Sequence, residues 1–317
     1  MLLKKSGSLI LKPVSLYNFE LTVHKPAGWW WSTPDEKFEK GTLWTAIRFN
    51  KKLLGLKLTS HGTTSKTEID CTVFSQRKIG EPMQMKLERM LRRVLQTEED
   101  LAEFYELAAR DKILREVTVD LCGMHSVAWP ELFPALILAV TLQMAPMKRS
   151  DQMMELLMEH FGELVEFDGK AVRYWPSTKK IACTRVEELQ AKAKLGYRAA
   201  NLVAIAKALE AGFPTMDDLC AFEPNDAKRK LLTLRGIGEY SAELVMPGMG
   251  FPIDVWSAKI FSVLFFGNVP QNPREAIDRL KGEAVKRWGK WVGQAFVYVL
   301  NDLPRLSERL DKDLTRF

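Results

Sequence analysis

The sequence predicts an α+β fold, in which an N-terminal antiparallel β-sheet domain packs on a mainly α-helical body. Between residues 9 and 77, short β-branched and aromatic runs alternate with clusters of Gly, Pro, Ser and Thr, which is typical of antiparallel strands. After Pro82 the apolar residues recur at a helical period, and Gly or Pro separates the segments. We place the β domain at residues 1–82, with following helices to about residue 112, and the helical body at residues 113–317.

Four runs in the first segment predict the strands: SLYNFELTVHK, GTLWTAIRFN, LLGLKLTS and TEIDCTVF. The adjacent residues Trp29, Trp30 and Trp31 belong to this segment, so we expect them to alternate between the sheet core and its surface. Helices are predicted at residues 83–95, 98–109, 131–144, 150–161, 185–194, 199–211, 225–233, 239–246, 257–266, 273–288 and 291–303.

Composition limits the functional classes. The chain has 317 residues, with 46% hydrophobic and 27% charged, which suffices for a large core without disulfides. No apolar run has the length of a membrane helix, and the N-terminus lacks the features of a signal peptide. We therefore expect no membrane association and an intracellular location, in the cytoplasm or nucleoid, or in the nucleus of a eukaryote. A net charge of +6 favours a polyanionic partner such as nucleic acid.

The four cysteines and four histidines are scattered along the chain without the spacing of metal ligands. Neither a zinc-protease helix motif nor a deaminase motif is present. The sequence therefore predicts free thiols, and we expect that no cofactor is required.

A glycine pair predicts a tight turn between two helices. In the segment LLTLRGIGEYSAELV, Gly236 and Gly238 flank Ile237. We expect both glycines to supply positive φ and to leave the backbone uncovered. The amides that begin the second helix then offer a sequence-independent site for a DNA phosphate, to which Ser241 adds a hydroxyl. A tight helix–helix turn without any ligand is the alternative.

A single carboxylate, Asp254, lies in the apolar run FPIDVWS just before another predicted helix. Taken alone, it is explained by capping of that helix. Taken with the hairpin, it resembles the helix-hairpin-helix DNA glycosylase superfamily, whose members place an aspartate after a hairpin, a short helix and an apolar loop. The likeness is greatest to the inducible bacterial and archaeal enzymes of the DNA-3-methyladenine glycosylase II type.

Two further segments carry the resemblance. PALILAVTLQMAPMKRSDQMMELLMEHFG and LGYRAANLVAIAKALEAG place Gln143 and Arg198 at the family's DNA-contacting positions. The resemblance assigns Met144 as the wedge that fills the space left by the extruded base, with core packing as the alternative. It also implies a monovalent cation, Na or K, on the backbone carbonyls of Thr233, Leu234 and Gly236.

The chemistry of base removal requires few groups. Cleavage of the N-glycosidic bond develops positive charge on the sugar, which a carboxylate such as Asp254 stabilises. Family members that also nick DNA carry a lysine where this chain has Tyr240, so the resemblance implies a monofunctional enzyme without lyase activity. Tyr240, Trp129 and Trp256 are the candidates for a base pocket that stacks electron-poor alkylated purines. One departure is Leu300, which stands where the bacterial enzymes have a tryptophan.

We therefore predict a monofunctional base-excision repair glycosylase that acts as a monomer on damaged double-stranded DNA. Its substrates are 3-methyladenine-type or related bases, and it leaves an abasic site. An oxidised-base glycosylase of the 8-oxoguanine type and a non-catalytic DNA-binding protein are the alternatives.

Overall fold

The computed structural model describes residues 1–14, 16–246 and 250–317, and it opens with a five-stranded antiparallel sheet. The order across the sheet is β1-β5-β4-β3-β2, so β2 to β5 form a meander and β1 pairs with β5 at the edge. The strands are β1 (Lys4–Leu11), β2 (Lys37–Glu39), β3 (Thr42–Phe49), β4 (Lys52–Thr63) and β5 (Lys66–Ser75). The α+β prediction with an N-terminal antiparallel sheet is confirmed.

The first of the four predicted strands is wrong. Within SLYNFELTVHK the chain forms the helix α1 (Phe19–Val23). The Asn18 side chain caps this helix and accepts a hydrogen bond from Leu21 N at 3.1 Å. The edge strand lies earlier, at Lys4–Leu11.

Helices make up most of the remaining chain, and each of the predicted helices is present with its ends shifted by a few positions. The bounds are α2 (Glu81–Val94), α3 (Ala102–Arg110), α4 (Leu114–Asp120), α5 (Leu132–Thr141), α6 (Met147–Phe161), α7 (Thr178–Ala182), α8 (Val186–Ala193), α9 (Arg198–Glu210), α10 (Met216–Ala221), α11 (Pro224–Leu231), α12 (Glu239–Val245), α13 (Val255–Phe266), α14 (Pro273–Trp288), α15 (Val292–Asn301) and α16 (Leu303–Leu310). Across the described ranges, no helix has the length and apolar character needed to cross a membrane.

The helical body also contains a β-hairpin that the sequence analysis missed. Strands β6 (Glu163–Phe167) and β7 (Lys170–Tyr174) pair in antiparallel register. Phe167 packs on the large sheet at Gly55, where an added Cβ atom would lie 2.5 Å from the Phe167 ring. Glycine at this position therefore allows the hairpin to sit directly against β4.

Three groups of buried side chains hold the elements together. The sheet core joins one face of the sheet to α1 and α2. The central core contains side chains of α5, α6, α8, α9, α11, α12 and the β6–β7 hairpin. The C-terminal core contains side chains of α3, α4, α13, α14, α15 and α16. Helix α3, which we assigned to the N-terminal domain, thus packs with the C-terminal helices, while the boundary itself stays a prediction. The two helical cores place α12 and α13 in different layers.

The three consecutive tryptophans lie in the loop between α1 and β2 and not on a strand. Trp31 is in the sheet core and Trp29 packs against the C-terminal core. Trp30 packs against the central core, with its ring centroid 5.6 Å from Trp129 and 5.4 Å from Trp175. One short loop therefore contacts all three cores.

Candidate active site

The turn between α11 and α12, called the hairpin from here on, contains two glycines with different conformations. Gly236 has φ of +79°, and a Cβ atom on it would lie 2.3 Å from Asn201 Nδ2, so only glycine fits without movement of Asn201. Gly238 has φ of −105°, and a Cβ atom there would meet no described atom within 4 Å. The prediction of positive φ is confirmed for Gly236 and wrong for Gly238, which is the extended N-cap residue of α12.

The hairpin tip exposes backbone while one side chain anchors it. Ile237 is 6% exposed and belongs to the central core, and its N–H donates to the Leu234 carbonyl at 3.1 Å. Both glycines are exposed. Because glycine has no side chain that could cap a helix, no side-chain hydrogen bond from Gly238 satisfies the first-turn amides of α12. Phosphate binding by this backbone stays a prediction.

Gln143 ties the turn between α5 and α6 to the hairpin. Its Nε2 donates to the Gly236 carbonyl at 2.6 Å and to Ser241 Oγ at 3.1 Å. Ser241 is 2% exposed, so its hydroxyl is engaged inside the protein and does not face an incoming phosphate. The predicted helix 131–144 ends earlier, at Thr141, which places Gln143 in the turn.

Arg198 contacts this turn through a hydrogen bond from its side chain to the Gln143 backbone. The residue is 9% exposed, its Nη2 donates to the Gln143 carbonyl, and its guanidinium lies 4.6 Å from the centroid of the Tyr197 ring. We expected Arg198 to contact DNA. Its guanidinium contacts the protein's own backbone at Gln143, and its contact with DNA stays a prediction.

Met144 projects from the same turn. It is 78% exposed and has φ of +49°. This left-handed conformation costs a non-glycine residue about 1–2 kcal/mol. The core-packing alternative is therefore wrong, while the wedge role stays a prediction that this exposure supports.

Asp254 is the N-cap residue of α13 and forms a reciprocal capping box with Ser257. Its Oδ1 accepts hydrogen bonds from Ser257 N at 2.7 Å and from Ser257 Oγ at 2.6 Å. These bonds use one carboxylate oxygen, so Oδ2 is the oxygen that the cap does not use. Phe251 and Ile253 are buried on the preceding segment and anchor it in the C-terminal core. Capping, the alternative explanation of Asp254, is thus correct and compatible with a second role.

Tyr240 of α12 lies near this carboxylate. Burial raises the pKa of the Tyr240 phenol, and the negative charge of Asp254 raises it further. Lys259, the lysine that follows Asp254 on α13, has its Nζ 5.9 Å from the centroid of the Phe317 ring. An aromatic ring of α12 thus lies near the aspartate, while this amine lies near the Phe317 ring.

The other pocket candidates are placed differently. Trp256 is 40% exposed beside Asp254, whereas Trp129 is partly buried against Trp30. Leu300 is 6% exposed within the C-terminal core. The roles of both tryptophans in base binding stay predictions.

The carbonyls expected to hold a cation are those of Thr233, Leu234 and Gly236. Gly236 O accepts from Gln143 Nε2 at 2.6 Å, and Leu234 O accepts from Ile237 N. The positively polarised amide hydrogens of Gln143 therefore lie against one of the three oxygens. Each carbonyl oxygen has a second lone pair that these hydrogen bonds do not use, so the cation site stays a prediction and we derive no step through it. In the part of the chain that the structure describes, no cluster of His, Cys, Asp or Glu could hold a metal.

The sequence analysis missed two residues around the turn. Arg274, at the start of α14, has its Nη2 3.6 Å from Met144 Sδ. Tyr197 is 57% exposed directly before Arg198, and an aromatic residue next to a position named by the resemblance was a usable signal in the sequence. No sequence pattern pointed to Arg274, because it is distant from Met144 along the chain.

The chain is similar in sequence to a DNA-3-methyladenine glycosylase of Bacillus subtilis (strain 168), with 26% identity over 205 residues. The match covers 63% of this chain and 66% of that protein, slightly less than two thirds of its length. No protein-family model matches the chain.

Solved structures share the fold over nearly the whole chain. A 3-methyladenine DNA glycosylase from Archaeoglobus fulgidus has a TM-score of 0.75 at 19% identity, covering 96% of this chain and 99% of that one. An 8-oxoguanine glycosylase/lyase from Clostridium acetobutylicum, solved with double-stranded DNA, has a TM-score of 0.68 at 15% identity, covering 98% of each. The predicted likeness is therefore confirmed at the level of the fold.

Proposed function

We propose that this chain, which has the fold of the helix-hairpin-helix DNA glycosylases, removes alkylated bases of the 3-methyladenine type from double-stranded DNA. The reaction hydrolyses the N-glycosidic bond and leaves an abasic site. The observation that carries the proposal is the capping box that fixes Asp254 and leaves its Oδ2 outside the cap, with Tyr240 near this carboxylate and Gln143 bonded to the hairpin at Gly236. The names of the sequence relative and of the Archaeoglobus fulgidus structure support the substrate class.

Asp254 supplies the charge that the reaction needs. As the bond to the base breaks, positive charge develops on the sugar, and a fixed carboxylate stabilises that state. The capping bonds to Oδ1 hold the side chain in one orientation and leave Oδ2 for the sugar or the attacking water. The positive end of the α13 dipole stabilises the negative charge on this carboxylate.

The base reaches the site only after it leaves the duplex. Met144 is exposed and held away from the core, so its unbranched side chain suits insertion into the space that the base vacates. Tyr240 then provides an aromatic face for an electron-poor alkylated purine. Such a base is already a good leaving group, so one carboxylate and one stacking surface are sufficient.

The proposal includes monofunctional chemistry. Strand cleavage by a glycosylase requires an amine that forms a Schiff base with the sugar. Tyr240 has none, and Lys259 lies against the Phe317 ring. We therefore expect the DNA strand to stay intact after base release.

The test uses duplexes that each carry one lesion: 3-methyladenine, 7-methylguanine, hypoxanthine, 8-oxoguanine or uracil. We expect release of free methylated base, with strand breaks only after alkali. Release of 8-oxoguanine alone would identify an oxidised-base glycosylase, and breaks without alkali would overturn the monofunctional mechanism. DNA binding without base release from any duplex would favour a non-catalytic protein.

A further inference from the structure

A buried carboxylate connects the two helical layers next to the candidate site. Glu243 of α12 is 7% exposed. Lys228 Nζ lies 3.1 Å from its Oε1, and Lys281 Nζ lies 2.8 Å from both of its oxygens. Lys228 belongs to α11, directly before the hairpin, while Lys281 belongs to α14, which packs in the C-terminal core.

A buried charged cluster of this kind stabilises the contact between two layers only if its partners offset the cost of desolvation. Removing a carboxylate from water is costly, and only close, hydrogen-bonded partners offset that cost. Both ammonium groups meet this condition by direct contact with Glu243. Burial acts to lower the pKa of Lys228, but its bonds to Glu239 and Glu243 outweigh burial, so that pKa is raised and the lysine stays charged.

The position of Glu243 relates it to catalysis. It follows Tyr240 by three residues, which places both side chains on one face of α12. A Cβ atom on Gly250 would lie 3.0 Å from Glu243 Cδ, so the carboxylate touches the start of the segment that leads to Asp254. Glu243 therefore contacts the hairpin layer, the layer of Asp254 and the segment between them.

We infer that Glu243, held by Lys228 and Lys281, is a positioning residue that sets the location of Asp254 relative to the hairpin. This inference rests on the proposed function. The hairpin binds DNA from one layer and Asp254 acts from the other, so a shift between layers misplaces the carboxylate without weakening DNA binding. Because displacements of about 1 Å can cost about 100-fold in rate, the effect belongs to the chemical step.

The test compares Glu243→Gln with a matched control, Glu283→Gln. Glu283 pairs with Arg287 at 2.6 Å within α14 and does not join two layers. We measure single-turnover base release at saturating enzyme and affinity for a duplex with an uncleavable abasic-site analogue. For Glu243→Gln we expect base release slowed by about 10- to 100-fold with affinity retained. For Glu283→Gln we expect both to remain as in the wild type.

Lys281→Gln is the second variant, for the case that Glu243→Gln does not fold. It removes the link to α14 but leaves Lys228 beside Glu243, so we expect a smaller loss of rate, again with affinity retained. A purely structural role would lower the unfolding temperature and leave the rate of the folded protein unchanged, which would overturn the inference. Parallel loss of rate and affinity would also overturn it. A wild-type chain that releases no base would overturn the proposed function itself.

Discussion

Replacement of Gly236 by alanine tests the geometry of the hairpin. The added Cβ atom would lie 2.3 Å from Asn201 Nδ2 and 2.7 Å from Asn201 Cγ, and the residue would keep φ of +79°. Alanine costs about 1–2 kcal/mol in that region of φ. The shift of Asn201 that the overlap requires costs about a further 1–3 kcal/mol of stability. We therefore expect Gly236→Ala to lower the free energy of unfolding by about 2–5 kcal/mol.

Urea denaturation measures this loss, and two further variants separate its parts. Gly238→Ala has open space for its Cβ atom, so we expect a loss below about 1 kcal/mol from the N-cap preference. It should nevertheless weaken DNA binding in a fluorescence anisotropy titration, because the methyl group covers exposed backbone. The double variant Gly236→Ala with Asn201→Ala should recover most of the cost of the overlap, since only the contact with Asn201 Cβ at 3.2 Å remains, and it should keep the cost of the positive φ. Equal stability of the two glycine variants, or no recovery in the double variant, would refute the reasoning.

Two other predictions concern single side chains. Met144→Gly relieves the strain of the positive φ of +49°, so we expect the free energy of unfolding to rise by about 1 kcal/mol while base release slows. The control Met147→Ala, at a neighbouring exposed residue, should change neither quantity. An unaltered release rate in Met144→Gly would contradict the wedge role. Burial raises the pKa of Glu131 from 4.5 to about 7, despite the guanidinium of Arg48 at 3.6 Å. Between those two pH values the folded state binds more protons than the unfolded state, so the contribution of Glu131 to stability falls as pH rises. Glu131→Gln removes this titration, and denaturation at about pH 5 and pH 7.5 should show a smaller loss of stability than in the wild type; identical pH profiles would contradict the assignment.

The sequence was informative where a local pattern and the fold agree. Gly236 and Asp254 were recognised from a turn and from a lone acid before a helix, and both features depend on a few neighbouring residues. Apolar periodicity likewise predicted the long helices. It missed short ones such as α7 (Thr178–Ala182), because one or two turns give too little periodicity.

Other features depend on contacts distant in sequence. The burial of Ser241 and the inward position of Arg198 follow from how the α5–α6 turn packs on the hairpin. No local pattern contains that packing. The β6–β7 hairpin is a different case, because Asp168 and Gly169 between alternating apolar residues are a recognised turn signal that was overlooked. The strand assigned to residues around Phe19 failed because β-branched and aromatic residues outweighed the Asn18 cap.

The central claim is that Asp254 carries the chemistry of base release. Asparagine also caps helices well, so Asp254→Asn should keep α13 and the fold. The decisive measurement is the single-turnover rate of free-base release from a duplex with one 3-methyladenine, for the wild type and for Asp254→Asn, with DNA affinity measured on the same samples. We expect the variant to lose about 100-fold or more in rate and to retain DNA binding. A variant that releases base at the wild-type rate would contradict the account.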